Sequence, residues 1–134
     1  MKKFLILIVC LFSFVTISNA QVVNWFKATS FSYRYVNDYG YWTNWSEWEE
    51  CNIRIQFLYS KDVIIIYSNK TQNYKIINMV EPPYDPNGVT VKYKVYDSDG
   101  DYGYIRLRAE DNGNSQIYVD FNNISWVYNV YKLR

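Results

Sequence analysis

Three tryptophans recur at every third position in Tyr41-Trp42-Thr43-Asn44-Trp45-Ser46-Glu47-Trp48, just ahead of Glu49, Glu50 and Cys51. Indole and phenol rings beside carboxylates suit sugars or a protein partner, because a flat ring buries much area with few torsions to freeze. A spacing of three sets side chains on one side of a polyproline-like segment, but on alternating faces of a strand. Tyr41, Trp42, Trp45 and Trp48 are therefore the expected ligand-binding residues. A competing expectation is that these indoles plug one end of the fold, since tryptophan is highly buried on average.

Asp97-Ser98-Asp99-Gly100-Asp101 spaces its carboxylates like the start of a calcium loop. The EF-hand pattern needs glycine where Tyr102 stands and glutamate where Arg108 stands. A hairpin turn at Asp99-Gly100 accounts for the same residues. A metal role for Asp97, Asp99 and Asp101 is the weaker alternative, and no cofactor is expected.

The 134 residues include no histidine. That removes histidine bases, the triads built on them, and the common zinc sites. Cys51 sits on the apolar side of an alternating run and reads as a small core residue. What remains is carboxylate chemistry, as in glycoside hydrolysis. Glu47, Glu49, Glu50, Asp97, Asp99, Asp101 and Asp120 can be paired in many ways, and nothing in their order selects one. The chain is expected not to be an enzyme.

The elements that must position these groups show a period of two, the mark of half-buried strands. Cys51, Ile53, Ile55, Phe57 and Tyr59 alternate with polar residues, as do Val89 to Val95, Ile105 to Ala109, Ile117 to Phe121 and Ile124 to Val130. Phe31, Tyr33 and Tyr35 do the same. Val63 to Tyr67 is apolar on both faces. Turn residues fall between the runs, at Asn37 to Gly40, Asp85 to Gly88, Asp99-Gly100 and Asp111 to Gly113. Pro82-Pro83 ends the run from Tyr74 to Val80. The expectation is an all-β single domain: an antiparallel meander of eight or nine strands closed into a small barrel, because closure removes edges. A two-sheet sandwich is the alternative. Gln21 to Asn24 reads as a short lead-in.

Residues 1–20 have the layout of a signal peptide: Lys2 and Lys3, an apolar run from Phe4 to Val15, then Ser18-Asn19-Ala20 before Gln21. Cys10 lies inside that run. The working domain is then 21–134, periplasmic, cell-surface or secreted, with no stable membrane insertion after cleavage. Removing Lys2 and Lys3 leaves 12 of the 14 basic residues against 13 acidic ones. No basic face is advertised, so nucleic acid is not an expected partner.

The leader, the Tyr/Asn/Ile-rich composition and the stretch Ile105-Arg106-Leu107-Arg108 through Asn112-Gly113-Asn114-Ser115-Gln116-Ile117-Tyr118-Val119-Asp120-Phe121 resemble small uncharacterised exported proteins of Bacteroides-like gut bacteria. The resemblance implies an envelope or secreted location and no function. The expected function is a non-catalytic exported binding module whose aromatic surface meets a glycan or protein partner. A small calycin-like barrel carrying an apolar ligand is the alternative, and a carboxylate glycoside hydrolase the second.

Overall fold

The computed structural model describes residues 23–133. The leader, its cleavage site and Cys10 lie outside them. Eight strands follow in chain order: β1 (Val23–Tyr35), β2 (Glu49–Leu58), β3 (Val63–Ile66), β4 (Gln72–Val80), β5 (Gly88–Tyr96), β6 (Tyr102–Glu110), β7 (Ser115–Asp120) and β8 (Ile124–Lys132). Each pairs antiparallel with the next, and β8 returns to β1 over Phe26↔Lys132 to Tyr35↔Ile124. The wall is thus one closed barrel, and the sandwich alternative falls because β8 leaves no free edge. The only helical turn among the described residues is Tyr59–Lys61.

The barrel holds because one face of each strand is apolar. Ile55, Phe57, Ile64, Ile66, Val95, Ile105, Ile117 and Val119 are fully buried. Phe26 and Tyr93 pack on Phe57, with ring centroids 5.5 and 6.1 Å away. Fully burying one such side chain stabilises by about 1.5–3 kcal/mol. The phenols inside find partners: Tyr74 donates to Gln72 Oε1 at 2.5 Å, and Gln72 Nε2 donates to Ser68 Oγ at 3.0 Å. Cys51 packs against this core, and burial pushes its thiol above the ordinary value.

β1 departs from the simple pattern. Val23 and Asn24 already pair with β2, so they belong to the wall rather than to a lead-in. A register shift between Ala28 and Ser30 then changes which residues face inward. Phe26 and Ala28 face the core before it; Phe31 packs on Tyr128 after it, with centroids 6.4 Å apart. The shift turns Ser32 and Arg34 to the outside.

Three turns share one construction, at Asn37, Asp97 and Glu110. In each, the first residue donates its N–H to the fifth residue's carbonyl at 2.8–2.9 Å. Its own carbonyl accepts from the fourth residue, a glycine, at 3.0–3.1 Å. Those glycines, Gly40, Gly100 and Gly113, have φ of 82°, 85° and 91°, which other residues adopt only at a cost.

Candidate functional site

Two neighbouring rows of outward side chains cross the wall from β1 to β5. The register sets Arg34 opposite Ser125, Ser125 opposite Asp120, Asp120 opposite Tyr104, and Tyr104 opposite Lys94. The row beside it runs Ser32, Val127, Tyr118, Arg106, Lys92 by the same pairings. Five strands at about 4.8 Å spacing make each row roughly 19 Å long.

The β1–β2 connection covers one end of these rows. Val36 and Trp42 form an isolated bridge, and the chain then runs back beside β1. Thr43 N–H donates to the Tyr35 carbonyl and Ser46 N–H to the Tyr33 carbonyl, both at 2.8 Å. Ser32 Oγ donates to the Ser46 carbonyl at 2.6 Å. This attachment sets Trp42 and Trp45 around Arg34, whose Cζ stands 4.7 Å from each ring centroid. Trp45 also meets Tyr118 edge-on at 6.3 Å, and Arg106 lies over that phenol at 4.0 Å. Ser32, Ser125 and Val127 face outward, yet they are buried, because this aromatic and hydrogen-bonded cover lies against them.

Three outward arginines differ in their partners. Arg108 meets Asp85 and Glu110, each at 2.5 Å, and its hydrogen bond holds the Asp85 carboxyl below the usual range. Arg106 donates to Asp120 at 2.7 Å. Arg34 belongs to none of the ion pairs among the described residues, and its buried Nε finds no acceptor there. Its guanidinium is held by π faces alone, which attract a cation without neutralising it. Beside it opens a cleft of about 210 Å³, bordered by Arg34, Trp42, Pro83, Lys92, Arg106 and Asp120. Ser125 Oγ donates to Asp120 Oδ1 at 2.6 Å at its floor.

Of the four residues expected from the sequence, Trp42 and Trp45 are brought together here. Trp48 and Tyr41 are exposed and form no part of the Arg34 cluster. The indoles do not plug the barrel: Trp42, Trp45 and Trp48 are 42, 39 and 49% exposed on its outside. Arg34, Tyr118, Arg106 and Lys92 are what sequence reasoning missed as site residues, and Asp120 stands out there only as one of seven carboxylates open to pairing. Alternation does put them on outward faces, but nothing local shows that the rows align.

Asp97, Asp99 and Asp101 do converge, with ligand atoms within 4.8 Å of one another. Asp97 Oδ1, however, accepts the N–H groups of Asp99 and Asp101, both at 2.9 Å. Asn37 Oδ1 does the same for Tyr39 and Tyr41, at 3.0 and 3.1 Å. An uncharged amide fills the same role in the sister turn, so the turn itself accounts for Asp97. A pocket of about 460 Å³ opens beside the core-packed Phe31, Cys51, Ile53 and Tyr128, with Glu50 and Lys70 on its border.

No protein-family model matches this chain, and no curated protein or solved structure does either.

Proposed function

We propose that the protein is a non-catalytic exported binding module, and that its ligand, a glycan or a protein partner, docks on the outer face around Trp42, Arg34 and Trp45. The observation that carries this reading is the Arg34 guanidinium held between two half-exposed indoles without a carboxylate partner. Isolated exposed aromatics are ordinary; two of them fixed around an unneutralised cation, beside a cleft, form a surface prepared before the ligand arrives. Export rests on the leader residues, with Lys2-Lys3 ahead of an apolar run and small residues before Gln21.

A carrier of apolar ligands needs an enclosed apolar cavity, whereas the pocket beside Phe31, Cys51, Ile53 and Tyr128 is open and carries Glu50, Asn52 and Lys70 on its border. The hydrolase reading needs two carboxylates facing each other across a cleft; at this cleft Asp120 is the one carboxylate and is already bound to Arg106 and Ser125. A glycan array and a surface-protein capture, each run with the purified protein and with Trp42→Ala, test the proposal. Binding that Trp42→Ala abolishes supports it. Binding that survives both Trp42→Ala and Trp45→Ala removes this surface as the site.

A further inference from the structure

We infer that the ligand is an acidic oligosaccharide, whose anionic group docks on Arg34 and Lys92 while a sugar ring lies against Trp42. The inference rests on the binding reading above and names the ligand class for that same cleft. Three cations and one carboxylate border the cleft, and that carboxylate is paired with Arg106. Arg34 and Lys92 are therefore left uncompensated by any ion pair among the described residues. Lys92 Nζ stands over the Tyr104 ring at 4.4 Å, so it too is held by a π face rather than by an acid. A guanidinium lying against aromatic rings keeps its charge, and its N–H edge matches a carboxylate or sulfate in paired hydrogen bonds.

Charge alone does not distinguish an acidic sugar from other anions; the rest of the cleft does. Asp120 uses its oxygens on Arg106 and Ser125, yet a carboxylate offers about four acceptor sites. It can still accept from ligand hydroxyls. Trp42 offers an exposed apolar face at the rim. A ligand that fits all three needs an anionic group, hydroxyl donors and a flat apolar side, which is the chemistry of an acidic sugar ring. The volume of about 210 Å³ lies below the roughly 300–1,000 Å³ of drug-sized sites, so one ring-sized group enters. A nucleic-acid strand would bring a continuous row of phosphates, which needs a run of free cations. Here Asp85, Glu110 and Asp120 already occupy the outward arginines of β6.

The test is a tryptophan-fluorescence titration of the purified protein in low and high salt. The probes are trigalacturonate, a sulfated disaccharide, maltotriose and a short oligothymidylate. The expected result is binding of trigalacturonate or of its sulfated counterpart, weakened by salt. Arg34→Gln should then lose about tenfold or more in affinity, as loss of a charged hydrogen bond does. Lys92→Gln should weaken binding in the same direction; it lies on the open wall and decides the matter if Arg34→Gln does not fold. Whichever acidic probe binds identifies the anionic group. Maltotriose binding as well as the acidic sugars, with both variants unchanged, overturns the inference and leaves the binding module standing. Tighter binding of the oligothymidylate overturns it in favour of nucleic acid. Failure of both acidic probes overturns it as well, and the array then judges the broader reading separately.

Discussion

Arg34 on β1 and Trp45 in the β1–β2 connection meet with the guanidinium carbon 4.7 Å from the indole centroid. The contact is fixed from the backbone, because Ser46 is hydrogen-bonded to Tyr33, the residue before Arg34. One ring therefore faces Arg34 on one strand and Tyr118 two strands away.

Trp45 should matter to the fold and Trp48 should not. Trp45→Ala removes the ring contacts to Arg34 and Tyr118, so it should cost about 1–3 kcal/mol, within the range for single substitutions. Trp48→Ala should cost under about 1 kcal/mol, as surface changes do. Chemical denaturation of the two variants checks this. Equal losses would contradict the placement of Trp45 as part of the cover.

The Asp97 turn should depend on geometry rather than on charge. Asp97→Asn keeps an Oδ1 acceptor and should leave the melting temperature nearly unchanged, as should EDTA. Gly100→Ala meets no steric neighbour but must hold φ near 85°, which costs about 1–2 kcal/mol. A large loss in Asp97→Asn, or melting on chelation, would return a metal to this turn.

Gly103 should tolerate no side chain. A Cβ there would stand 2.7 Å from the Asp120 carbonyl oxygen and 2.9 Å from the Phe121 ring. Gly103→Ala should therefore destabilise by about 1–3 kcal/mol, the usual cost of overpacking. A thermal melt matching the parent protein would contradict the tight β6–β7 approach.

Much of this fold is legible in the sequence where a strand has one apolar face in unbroken register. Ile55 and Phe57 in β2, Tyr93 and Val95 in β5, and Ile117 and Val119 in β7 are core residues, and alternation alone selects them. β1 is less legible. Its extra residue between Ala28 and Ser30 changes the inward parity, so Phe26 and Ala28 do not continue the Phe31-Tyr33-Tyr35 series. Outward burial of Ser125 and Val127 is invisible too, since it depends on a cover made by a distant segment. For the site, Trp42 and Trp45 stand out by type and spacing. Their partner Arg34 looks like any solvated strand residue until the β1–β8–β7 register places it.

Stability should fall in strong base. Burial pushes the Tyr74 and Tyr93 phenols well above the ordinary 10.0 and raises Tyr128 as well. Above about pH 10 the unfolded chain ionises these groups while the folded barrel keeps them protonated, so the unfolded state binds fewer protons and gains. Below that range both states are protonated and these groups add no slope. Melting temperature against pH should therefore turn downward from about pH 10, and less steeply in Tyr93→Phe. An unchanged slope in that variant would contradict the assignment.

The most direct test of the outer-face site uses the five indole N–H signals of Trp25, Trp42, Trp45, Trp48 and Trp126, resolved by nitrogen-edited NMR. The protein is titrated with the best-binding oligosaccharide from the array. Trp42 and Trp45 should shift, while Trp126, packed on the core, and Trp25, stacked on Tyr67, should not. Shifts of Trp25 or Trp126 with Trp42 and Trp45 unmoved would contradict the account.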